Sequence, residues 1–185
     1  MQEAISNLEL AKTQARKVVS DIANLVCYHK KSIQLTETSG STFATLTLDV
    51  HDQDYGFMVG SLGAVVRAIA SVCDLIGESH GVMIRFGIPR HEHPAQPHPK
   101  RPRSCVMELE SLREIAENIA LAVFQFASTT TIEGDSTFVL ITITRHSAEP
   151  SRGRSRELED HCNVVFNAIA KSLCVNEIRV RIISE

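Results

Sequence analysis

Two hydrophobic periods alternate along the first 88 residues. Val18, Ile22, Leu25 and Val26 recur at helical spacing and predict a helix over about residues 8–29. Ser32–Glu37 reads as a short strand, and Thr38-Ser39-Gly40-Ser41 as a turn. In Phe43–Val50 the apolar Ala44, Leu46, Leu48 and Val50 alternate with Thr45, Thr47 and Asp49, which predicts a strand with one buried face. A short helix follows to Val59, with Asp52 placed to cap it. After two glycines, Val65, Ile69, Val72 and Ile76 mark a second helix over about Gly63–Ile76, which Gly77 is placed to end. Val82, Ile84, Phe86 and Ile88 then share one face of a strand over Gly81–Ile88.

The succession returns in part after residue 104. Leu112, Ile115, Ile119 and Val123 predict a helix. Thr129–Ile132 and Phe138–Thr144 predict strands around a turn at Gly134-Asp135. A helix from about Arg156 buries Leu158, Cys162, Val165, Ile169 and Leu173, and a last strand alternates Ile178, Val180 and Ile182 with Arg179 and Arg181. Ala68-Ile69-Ala70 and Ile84-Arg85 reappear as Ala168-Ile169-Ala170 and Ile178-Arg179, so the chain reads as an internal duplication.

Between the repeats, residues 89–104 carry five prolines and no apolar period, the composition of an extended linker. Charge sharpens the division. The net charge is −3, but residues 1–88 carry 7 basic against 9 acidic groups, 89–104 carry 4 against 1, and 105–185 carry 8 against 12. The basic stretch is therefore the linker, with Lys100, Arg101 and Arg103 open to nonspecific phosphate contact. The linker histidines His91, His93 and His98 lack the rigid scaffold a metal site needs, so no metal is expected. The five cysteines form no C-x-x-C pair, and three sit inside apolar helical patterns, which reads as buried thiols in a reducing, cytoplasmic compartment. No apolar run reaches the roughly 20 residues of a membrane span, and the polar Met1–Ala11 predicts no secretory leader. Trp is absent and Tyr occurs twice, which disfavours a base-stacking platform.

The candidate chemistry lies in residues 54–70, DYGFMVGSLGAVVRAIA. Gly60 and Gly63 leave a turn with no Cβ at either shoulder, so a nucleic-acid backbone can approach the main-chain N–H groups. The helix that follows adds its positive dipole end. This stretch resembles the core of the KH domain, an apolar residue followed by G-x-x-G and an amphipathic helix, and the resemblance extends over about residues 11–88. It is closest to the type II arrangement of the small bacterial KH RNA-binding proteins, whose pattern is met here by Asp54, Gly56, Met58, Val59, Gly60 and Gly63. The resemblance implies binding of about four nucleotides of single-stranded RNA along a groove. Val59, Gly60, Ser61, Leu62 and Gly63 would form the contact, assisted by Arg67 and Arg85. One loop residue of that family is usually Lys or Arg. Here the two are Ser61 and Leu62, and weak intrinsic affinity is expected. The reading requires the turn to be open and to border a cleft between helix and sheet.

Where the second repeat should carry its glycine loop it has His146–Asp160, in which Glu149, Glu157, Glu159 and Asp160 offset Arg145, Arg152, Arg154 and Arg156. It reads as a degenerate copy that serves as a structural or pairing module. Asp52 and Asp54 are better explained as helix-start residues than as an acid–base pair. With no catalytic constellation, Walker loop or dinucleotide fingerprint, neither an enzyme nor a cofactor is expected. The expected architecture is α+β. Two KH-like domains, 1–88 and 105–185, each with a three-stranded sheet packed by helices in α-β-β-α-α-β order, flank the 89–104 linker, and the second lacks the loop. The rival reading is a protein–protein or homodimerisation module that keeps the fold and binds no nucleic acid. The acidic net charge and the uncharged loop favour it.

Overall fold

The computed structural model describes residues 2–89, 109–125, 128–134, 137–146, 152–173 and 175–184. The linker beyond Pro89, with its histidines and basic cluster, lies outside the described residues, as do Cys105, Cys174 and Asp135 of the expected turn. The chain is α+β. Helix α1 (Gln2–Val26) leads through a 3-10 turn at Lys30–Ser32 to strands β1 (Gln34–Ser39) and β2 (Phe43–Asp49). Helix α2 (Asp52–Val59), a 3-10 turn (Ser61–Gly63) and helix α3 (Ala64–Ser79) then cross over to β3 (Met83–Gly87). The second half runs α4 (Leu109–Phe124), β4 (Ser128–Gly134), β5 (Phe138–Arg145), α5 (Arg152–Ser172) and β6 (Glu177–Ser184), so among the described residues it departs from the expected α-β-β-α-α-β order, with one helix where the first half has α2 and α3.

Each half builds a three-stranded sheet in sequence order, the first pair antiparallel and the second parallel. A parallel neighbour cannot be reached by a hairpin, so the helices between β2 and β3, and α5 between β5 and β6, are required by the topology. The predicted alternation fixes the faces. Ala44, Leu46 and Leu48 are fully buried and pair in register around the exposed or half-buried Thr45 and Thr47. In the second sheet Val139, Ile141 and Ile143 are buried likewise.

The helices of the two halves pack on one another, α1 against α4 and α3 against α5. Lys17 Nζ reaches Glu114 at 2.9 Å across the first pair, and Ser79 Oγ donates to Ala122 O at 2.8 Å between α3 and α4. This explains why α1 buries more than its predicted stripe: besides Val18, Ile22 and Val26, Ala11, Ala15, Val19 and Ala23 are wholly covered. Leu25 of the predicted set is only partly buried. No single described helix is long and apolar enough to cross a membrane, and α2 meets the turn–α3 run at 48°.

Three local expectations are corrected. The cap of α2 is His51, whose Nδ1 accepts from Gln53 N at 3.2 Å, and not Asp52. Asp54 stands in the first turn of α2 as expected, but it does not cap the helix: it is 1 % exposed and its carboxyl accepts from the main chain of Tyr28 and His29. Gly77 does not end α3, which continues to Ser79. It lies where the helix touches its strand, and a Cβ there would stand 2.7 Å from Val82 O and 2.8 Å from Ile84 N. The buried thiols agree with the expectation made for them. Cys27, Cys73 and Cys162 are buried thiols outside any disulfide. Burial, reinforced by the Glu159 charge, pushes the Cys162 thiol up to about 12, and burial beside Asp74 raises Cys73 as well.

Candidate nucleic-acid interface

The glycine turn owes its shape to its residues. Gly60 has φ 72° and ψ 176°, a region that only glycine occupies readily, and Gly63 lies in the left-handed region at φ 76°. A Cβ on Gly60 would fall 2.4 Å from Val65 Cγ2, so the turn is pressed onto the first residues of α3. Between the glycines Leu62 is also left-handed, at φ 52°, with its side chain 91 % exposed. A leucine in that conformation costs about 1–2 kcal/mol and here recovers nothing by packing. Leu62→Asn, which tolerates the conformation, is therefore expected to raise stability by about 0.5–1 kcal/mol. Urea unfolding checks this, and a loss of stability would mean that the leucine packs in solution.

The backbone donors divide into two pairs. Gly60 N donates to Gly56 O at 3.0 Å and Gly63 N to Gly60 O at 3.1 Å. The N–H groups of Ser61 and Leu62 have no partner among the described residues. The expected four-amide cradle is therefore a two-amide one, at the head of the 16-residue α3. The turn is open, since Ser61 and Leu62 are both exposed.

Of the predicted basic residues, one is at the turn and one is not. Arg67 Nη1 donates to Leu62 O at 2.6 Å, so its first role is to hold the turn. A guanidinium has five N–H donors, so this exposed side chain keeps others for a phosphate. Arg85 sits on β3 opposite Thr45, with Nε directed at Met83 Sδ at 3.2 Å. Its field is felt at Asp74, whose carboxyl burial and Glu78 lift while Arg85 lowers it. Asp74 is seven residues past Arg67, about 10 Å of helix rise, so Arg85 belongs to a different part of the surface. Val59 is the half-buried last residue of α2.

The cleft beside the turn, of about 530 Å³, is bounded by Gly56, Phe57, Gly60, Ser61 and Val65 on one side. Its other wall is α5, through Asn163, Val164, Asn167, Ala168 and Lys171, and no strand residue lines it. Of the two conditions set for the KH-like reading, the cleft between helix and sheet is therefore not met at the turn: the facing wall is a helix from the second half, and what stands is the open backbone of the turn. The reason is the packing of α3 on α5, which no local pattern specified. Lys171 is exposed and has no partner among the described residues, so it adds a cation that the motif does not contain.

Behind the turn, Asp54 fastens the whole unit. Its carboxyl oxygens accept from Tyr28 N at 2.9 Å and His29 N at 2.7 Å, and His29 Nδ1 lies 3.1 Å away. The His29 ring stacks on His51 at 3.9 Å between centroids. The segment that follows α1 is thereby tied to the first turn of α2, six residues before Gly60. Among the described residues no cluster of His, Cys, Asp or Glu is arranged to hold a metal ion. No family model, curated protein or solved structure matches the chain, so the interface is read from its own residues and geometry.

Proposed function

We propose that the chain binds single-stranded RNA, with a backbone phosphate held at the Ser61 and Leu62 N–H groups. The observation that carries this reading is that pair of unpartnered amides, on a turn without Cβ shoulders at the positive end of α3. Arg67 beside the turn and Lys171 across the cleft supply positive charge, and the mostly apolar walls at Phe57, Val65 and Val164 accept a base. The resemblance of residues 54–70 to the KH core selects RNA among phosphate ligands. The missing loop cation makes the binding weak, and the charge that remains at Arg67 and Lys171 makes it salt-sensitive.

The test is fluorescence anisotropy of the full chain with a pool of short RNA oligomers and a DNA control. Ser61→Asp with Leu62→Asp places two anions at the phosphate site and is expected to lower affinity about tenfold or more, with unchanged circular dichroism. Unchanged affinity at low salt would show that the turn is not the site.

A second reading is favoured by one observation, the strained and 91 % exposed Leu62 beside that apolar cleft. Such a side chain suits a protein partner, with the fold kept as an interaction module. Salt separates the two: a phosphate complex weakens steeply as salt rises, whereas an apolar contact at Leu62 barely responds.

A further inference from the structure

The first sheet ends on a strand whose outward edge is bare. β1 pairs with β2 on one side and with no described strand on the other. Gly40 N donates to Phe43 O at 2.9 Å, so this pair, which continues the register of the two strands, is a hydrogen-bonded one. Bonded and non-bonded pairs alternate along an antiparallel ladder. Thr38 with Thr45, Thr36 with Thr47 and Gln34 with Asp49 are therefore bonded within the sheet. The main-chain N–H and C=O groups of Leu35, Glu37 and Ser39 point outward, and they have no partner among the described residues. The edge of β6 shows the opposite arrangement. Ile182 N donates to Glu159 Oε2 at 2.8 Å, Val180 N to Asn163 Oδ1 at 2.7 Å, and Ile178 N to Asn167 Oδ1 at 3.3 Å. Three side chains of α5 thus take the donors that an added strand would need, and no described residue does this for β1.

The usual deterrents of an exposed edge are a lysine, a proline or a bulge, and β1 carries none of them. Its one charge, Glu37, is neutralised from α1, by Lys12 Nζ at 2.6 Å and Arg16 Nη1 at 3.5 Å. Ile33 and Leu35 are only partly buried, so apolar surface accompanies the bare backbone. β4, at the edge of the other sheet, differs in charge: its Glu133 is exposed and has no partner among the described residues. Register and charge then select what fits β1. Across a new antiparallel pair outward residues must face outward residues, so a second copy of β1 meets the first on an axis that passes through a residue. An axis at Glu37 sets two carboxylates directly opposite, which is unfavourable. An axis at Thr36 sets each Glu37 opposite a Leu35, Thr36 opposite Thr36 and Gln34 opposite Thr38, and no like charges face each other.

We infer that β1 is a self-association surface, on which two copies of the chain pair antiparallel about Thr36 and join their first sheets into one. The inference does not depend on RNA binding. Sedimentation equilibrium of the full chain, from about 1 µM to about 1 mM, should show monomer and dimer in exchange. As the concentration rises, the amides of Leu35 and Glu37 should gain protection from hydrogen exchange, while the Thr36 amide, bonded within the sheet, is protected throughout. Thr36 is exposed in the single chain, and Thr36→Lys sets two cations face to face on the axis. It should weaken the dimer about fivefold. Gln34→Lys adds the same charge at an exposed position opposite Thr38 and should leave the dimer nearly unchanged. A monomer at every concentration would overturn the inference and leave the edge to a strand of another protein. A dimer whose Leu35 and Glu37 amides stay unprotected would overturn it too, since the copies would then meet elsewhere. Equal effects of the two lysine variants, or a silent Thr36→Lys, would refute the pairing about Thr36.

Discussion

Asp54→Ala is expected to destabilise the protein by about 4 kcal/mol, the larger of the two effects anticipated for the folded state. The carboxyl group is 1 % exposed and accepts two main-chain N–H groups, of Tyr28 and His29. Alanine removes both acceptors and leaves those donors without them, at about 1–3 kcal/mol each. For a chain of 185 residues this lowers the melting temperature by about 10 °C. Asp54→Asn retains one acceptor oxygen and should lose about half as much. Calorimetry and urea unfolding check both variants, and a loss under about 1 kcal/mol for alanine would mean that water replaces the carboxyl group. Because Asp54 ties the segment after α1 to the helix that leads into the glycine turn, Asp54→Asn should also weaken the proposed RNA binding while the chain is still folded.

The second large effect is expected at Gly77. Alanine in a helix interior is favoured over glycine by about 1 kcal/mol, so propensity alone predicts a gain. The added Cβ, however, would stand 2.7 Å from Val82 O and 2.8 Å from Ile84 N, both backbone atoms that cannot swing aside. Parting α3 from β3 opens the core around Ile76 and Ile84, each fully buried. Overpacking of this kind costs about 1–3 kcal/mol or more, which outweighs the propensity term, and Gly77→Ala is expected to lose about 2 kcal/mol net. Gly87→Ala is the control. Nothing lies within 4 Å of its Cβ position, and its stability should change by less than about 1 kcal/mol. Equal effects at the two sites, read by urea unfolding, would refute the contact argument.

The loop's weakness as an anion site follows from the same geometry that makes it recognisable. Two of its four N–H groups are used internally, Gly60 N to close α2 and Gly63 N to close the 3-10 turn, and the other two belong to Ser61 and Leu62, where the resembled pattern has a cation. Lys171 and Arg67 make up part of the difference from outside the loop. On this view the second half is a partner in the site.

The apolar periods of the sequence determined the elements, their order and most of the buried faces. Leu46 and Leu48, Ile69 and Val72, Ile119 and Val123, and Ile169 are all buried as their spacing requires. A period of two or of 3.6 is a local property, and burial of the apolar side follows wherever the element packs. Gly60 and Gly63 were legible for a similar reason, since a positive φ is a demand on a single residue. Tertiary structure alone decided the rest. Asp54 looks like a capping residue until the segment after α1 is brought against it, and Gly77 looks like a helix terminator until β3 returns beside it. Glu159, Asn163, Asn167 and Lys171 recur every four residues and read as a solvated face. In the fold, the first three seal a strand edge and the last three line the cleft at the turn. In each case the partner is remote in sequence, and a hydrogen bond or close approach between remote segments leaves no periodic trace in either one.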